Sequence, residues 1–95
     1  MFDLNDLKPE HFENLIGQTL PVADSAYGFE ISAVDRLKSP SPRGTPFSLM
    51  LLAPAQTRGG QGVYHLEHPE LGVLPLFLVP VDIVQGRARF EAVVN

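Results

Sequence analysis

The spacing of apolar residues changes once along this chain, from a helical period to a strand period, and the change falls at Gly17. Before it, Phe12, Leu15 and Ile16 stand at i, i+3 and i+4, which places them on one stripe of a helix. Pro9 suits the first position of that helix, where its missing N–H needs no partner, and Glu10 and Glu13 lie near the positive end of the helix dipole. Gly17 supplies a left-handed stop. The pattern predicts a helix of about eight residues, too short to be stable alone, so its stripe must pack on something.

After Gly17 the period is two. Residues 19–22 read as a short first strand, with Pro21 favouring a sheet edge. Phe29, Ile31 and Ala33 alternate with Glu30 and Ser32, the mark of a strand with one buried face. Val34 and Leu37 break that phase and predict a bulge or bend near Asp35. Residues 39–46 hold three prolines and a glycine and read as a loop. A third strand is expected over 47–53, with Phe47, Leu49 and Leu51 on one face and Met50 and Leu52 making the other apolar too. A Gly-rich connection over 54–62 leads to a fourth strand over 63–68, where Tyr64 and Leu66 alternate with His65 and Glu67. Residues 69–72 have β-turn chemistry. A fifth strand over 73–81 is apolar on both faces, and Gln85-Gly86 turns the chain into a sixth over 87–94.

The expected fold is mainly β: a small, strongly bent antiparallel sheet or barrel of five or six strands behind a short N-terminal helix, forming one domain over residues 1–95. Leu76, Phe77 and Leu78 cannot all point into one small core. The fifth strand therefore predicts self-association, with Leu76, Leu78 and Val79 as candidate interface residues.

Composition narrows the picture further. The chain has no cysteine, which removes disulfides and thiolate zinc sites. Its longest apolar run, over 73–81, is too short to span a bilayer as a helix, and its first residues lack the basic start and apolar run of a signal peptide. A cytoplasmic protein without a membrane partner is expected. The net charge of −4 argues against a protein built mainly to grip nucleic acid. The charge is uneven, with −6 over residues 1–35 and +2 over residues 36–95. Arg36, Lys38, Arg43, Arg58, Arg87 and Arg89 would form a basic patch if folding brought them together. Arg58, Arg87 and Arg89, with Tyr64 to stack on, are the candidate contacts to a single-stranded nucleic acid.

Catalytic chemistry finds little support. His65-Leu66-Glu67-His68 is the one stretch resembling a metal site, yet on a strand His65 and Glu67 share a face while His68 points away. Ser48 has no neighbouring base in the sequence to activate it, and no G-x-S-x-G turn occurs. Glu67 and Glu70 read as solvated carboxylates around a turn rather than an acid/base couple. Arg58-Gly59-Gly60-Gln61-Gly62 lacks the spacing of a phosphate loop. The expectation is a non-enzymatic protein with no cofactor and no metal.

Phe47-Ser48-Leu49, Gln61-Gly62-Val63-Tyr64, His68-Pro69, Leu71-Gly72, Phe77-Leu78-Val79-Pro80-Val81 and the ending Phe90-Glu91-Ala92-Val93-Val94-Asn95 resemble a family of bacterial domains of about this length with no assigned function. The resemblance covers nearly the whole chain from about Phe12 onward, and it implies an accessory protein associated with phage-tail-like proteins as one alternative. The layout of helix and bent strands also resembles the Sm-like small barrel, which would imply RNA binding in a ring. The Asp/Asn loop of that family is missing between Leu37 and Phe47, and the pair Arg58-Gly59 precedes the fourth strand rather than standing between the last two. Its RNA-binding residues therefore have no counterparts here. The leading expectation is an interaction or assembly module that self-associates through the fifth strand, with an oligonucleotide-binding module second.

Overall fold

The structure, a computed structural model, describes residues 7–37, 46–55, 57 and 59–94. The period-two pattern becomes six antiparallel strands: β1 (Thr19–Pro21), β2 (Gly28–Arg36), β3 (Phe47–Leu52), β4 (Gly62–His68), β5 (Gly72–Val84) and β6 (Arg87–Val94). One helical turn, α1 (Glu10–Glu13), precedes them. The strands pair in the order β1-β2-β3-β6-β5-β4. The chain thus forms two three-stranded meanders, β1–β3 and β4–β6, joined by a β3–β6 ladder running from Phe47↔Val94 to Leu52↔Arg89. Their outer strands meet through a single bridge, Val22↔Leu66, where the Ala23 N–H donates to the His65 carbonyl at 2.7 Å. The result is a nearly closed barrel.

The inward rows are those that alternation marked: Phe29 and Ile31, then Phe47, Leu49 and Leu51, then Leu66, then Phe90 and Ala92, all buried. Each of the leucine, isoleucine and phenylalanine side chains contributes on the order of 1.5–3 kcal/mol by leaving water. At one end of the barrel Phe12 seats against Phe47, with ring centroids 6.0 Å apart, and the Arg36 guanidinium holds Glu10 and Glu13 of the helical turn. At the other end Tyr27, Phe29, Tyr64 and Phe90 stack edge to face, with centroids 5.2–6.0 Å apart. Such edge-to-face pairs add specific geometry to the burial of the rings.

Several elements depart from the pattern. The helix is four residues long, because beyond Phe12 the bonds close at three-residue spacing: the Leu15 N–H reaches the Phe12 carbonyl and the Gln18 N–H the Leu15 carbonyl. That tightening turns Ile16 to solvent and leaves Phe12 and Leu15 buried, joined by Leu7. Gly17 does take the left-handed conformation, at φ 91°. The register of β2 shifts between Ile31 and Ala33, nearer the middle of the strand than Asp35. The proline-rich segment read as a loop lies, apart from Pro46, outside the described residues, as does Asn95.

β5 runs three residues past its expected end. Residues 72–78 pair with β4, and residues 79–84 pair with β6 after a register shift between Pro80 and Asp82. One strand therefore pairs first with β4 and then with β6, and bends between the two. Gln85 and Gly86, with φ of 52° and 79°, close the β5–β6 hairpin as a two-residue turn of the mirror-image kind.

Candidate assembly surface

The two apolar rows of β5 face opposite ways. Leu74, Leu76 and Leu78 point inward, opposite Leu66, Tyr64 and Gly62 of β4. Leu76 and Leu78, expected at an interface, are 4% and 0% exposed and belong to the core, and of the three candidates only Val79 reaches the surface, half-buried. The physical reason is register: cross-strand neighbours share a face, and Leu66 fixes which face of β4 is inside.

The outward row is Val73, Pro75 and Phe77, facing Glu67, His65 and Val63 of β4. Phe77 and Val63 are direct cross-strand neighbours, 53% and 58% exposed. Beyond the bend, Val81, Ile83 and Val84 are exposed too, Ile83 to 74%. Five of the nine large apolar side chains exposed among the described residues thus lie on this one strand, which makes it a patch rather than the ordinary scatter. The one charge on the strand itself, Asp82, is bonded to Arg89, with Nε–Oδ1 at 2.8 Å, and Glu67 stands across the hairpin at the margin of the row.

Among the described residues, the arginines of the expected basic patch do not all converge. Arg36 lies over the helical end of the barrel, bonded to Glu10 and Glu13. Arg87 and Arg89 sit on the outer face of β6, alternating with buried Phe90. The Arg87 guanidinium donates to the Ala53 carbonyl and to the Glu30 carboxylate, both at 2.8 Å. Tyr64 points to the other side of the sheet, into the aromatic cluster, and donates its hydroxyl to the Gly60 carbonyl at 2.7 Å. Desolvation in that cluster, and secondarily the neighbouring Tyr27, push the Tyr64 phenol above the ordinary tyrosine range. Lys38, Arg43 and Arg58 fall outside the described residues.

The stretch His65-Leu66-Glu67-His68 divides as its alternation requires. His65 and Glu67 are outside, while His68 is buried beneath the helical turn. Its Nδ1 accepts from the N–H groups of Glu70 and Leu71 at 3.0 and 3.1 Å, so the ring hydrogen resides on Nε2 and is donated to the His11 carbonyl. Nothing in the sequence marked this role, although Pro69 after His68 signalled the turn that the ring caps. Among the described residues no group of His, Asp and Glu is arranged to hold a metal ion. An open groove of about 290 Å³ lies where β1 and β4 fail to join, lined by Gln18, Thr19, Leu20, Pro21, Glu67, His68 and Pro69. Ser48 is buried on β3.

Among the described residues no helix is long and apolar enough to cross a membrane. No curated protein and no solved structure matches the chain. Residues 7–94 match one family throughout, and the chain belongs to it: DUF6916, a family of domains of unknown function.

Proposed function

We propose that this domain is a non-enzymatic assembly module that associates with further copies of itself through the apolar outside of β5. The observation that carries this reading is the exposed row of Val73 and Phe77, flanked by Val63 and followed past the register shift by Val84 opposite Arg87, on a strand whose other row, over residues 74–78, fills the core. Covering apolar surface gains roughly 25 cal/mol per Å², and a patch that is mainly apolar, with Glu67 only at its margin, favours its own kind as a partner. Among the described residues, Arg36, Arg87 and Arg89 are already paired with carboxylates of the same chain, which leaves the apolar patch as the dominant feature of the described surface.

The test is the solution mass by light scattering over a range of protein concentration, for the natural chain and for the double variant Val73→Asp with Phe77→Asp. Both positions are exposed, so the variant keeps its fold by circular dichroism. The expected outcome is an oligomer for the natural chain and a monomer for the variant. A natural chain that stays monomeric at every concentration, or a variant of unchanged mass, overturns the reading.

A further inference from the structure

Among the described residues, the second half of β5 is an edge with unused backbone hydrogen bonds, and the register identifies the residue that carries them. Ile83 stands opposite Ala88 on β6, and the Ala88 carbonyl is occupied on its other side, by the Ala53 N–H at 2.9 Å. In an antiparallel ladder the two members of a pair either bond each other or both turn their polar groups away. The N–H and C=O of Ile83 therefore point away from β6. β4, which covers that side of the strand earlier, ends its pairing at Gly62↔Leu78, and no described strand pairs there with residues 79–84.

Exposed edges in soluble proteins are guarded by charges, prolines or bulges. Here Pro80 and the register shift guard only the beginning of the segment. Past them, the single charge, Asp82, is bonded to Arg89, and Val81, Ile83 and Val84 are apolar and exposed.

We infer that this edge pairs with the same edge of a second copy, antiparallel about a twofold axis at Ile83. This rests on the self-association read from the outside of β5 and states how the contact is made. Ile83 facing its counterpart would exchange two main-chain bonds, the self-complementary arrangement that a twofold interface requires. The occupant follows from charge and shape. Two such edges bring together apolar side chains and internally neutralised carboxylates, whereas a charged peptide would find no free opposite charge on the segment. The two six-stranded sheets would become one continuous sheet across the axis.

Two variants at one position separate backbone from side chain. Ile83→Pro removes the outward N–H, which no bond among the described residues uses, while Ile83→Ala keeps it. The mass of each is measured by light scattering, and the Ile83 amide of the natural chain is followed by hydrogen exchange as concentration rises. The expected results are a dimer for the natural chain and for Ile83→Ala, a monomer for Ile83→Pro, and an Ile83 amide that slows as the dimer forms. A dimer that survives Ile83→Pro, or an Ile83 amide that exchanges fast in the dimer, overturns the edge pairing while leaving self-association through β5 intact. A dimer lost equally in Ile83→Ala likewise overturns it, since side-chain burial then suffices. A natural chain that is monomeric throughout overturns both readings together.

Discussion

The imidazole of His68 and the backbone of His11 are joined by a 2.8 Å hydrogen bond between two segments 57 residues apart in the chain. That bond ties the helical turn to the end of β4, and the same ring stands edge-on to Phe12 with centroids 5.3 Å apart. The other ring nitrogen caps the turn at residues 69–71 through two N–H groups. A single side chain therefore fixes the helix, the strand end and the turn relative to one another.

Replacing His68 with Ala should cost about 1–3 kcal/mol, since it leaves buried polar groups without partners. Denaturation with urea gives the loss directly. Amide exchange should show it concentrated at Phe12 and at Glu70 and Leu71, and an even loss over the whole barrel would contradict the local role.

The turn at Gln85-Gly86 allows a prediction in the opposite direction. Both residues have positive φ, a geometry that Asn-Gly adopts more readily than Gln-Gly. Gln85→Asn should raise stability by about 0.5 kcal/mol. Gly86→Ala should lower it by about 1–2 kcal/mol, the cost of a side chain in the left-handed region. Thermal denaturation that ranks the three proteins in any other order would mean that the hairpin turn is not held as described.

Arg36 predicts a pH dependence. Its hydrogen bonds to Glu13 hold that carboxyl below the ordinary range, with direct charge attraction adding to the effect. A group with a lowered folded-state pKa stabilises the fold above its unfolded value and loses that contribution as pH falls through the folded one. The natural chain should therefore lose stability in the acid carboxylate range more steeply than Arg36→Gln, and salt should narrow the difference because the pair is at the surface. Parallel curves for the two proteins would refute the clamp.

Most of the strands were legible because alternation needs only one face to be apolar. In β4, Tyr64 and Leu66 set against His65 and Glu67 gave both the strand and its inward side. β5 shows where the pattern fails: with apolar residues on both faces, period two reveals that there are two rows but not which is inside. The missing information lay in its neighbour, since Leu66 stands opposite Leu74 and carries the inward phase across the hairpin to Leu76 and Leu78. The consequence for experiment is direct, because an acidic substitution at Leu78 would open the core and leave the surface untouched. The roles of His68 and Arg87 were illegible for a different reason: each bonds to backbone carbonyls far along the chain, which carry no residue signature.

The strand order reads the same from either end, two meanders set back to back with their last strands side by side. Such an arrangement is what two separate three-stranded chains would build about a twofold axis, with the connection over residues 53–61 replacing the break between them. The strands of the two halves pair through the β3–β6 ladder and the bridge from Val22 to Leu66, with side-chain ties from His68 to His11 and from Arg87 to Glu30 added. The connecting loop is thus what makes closure an affair of one molecule. Shortened below the span it must cross, it would force each chain to lend its second half to a neighbour, giving an exchanged pair with the same ladders and the same core.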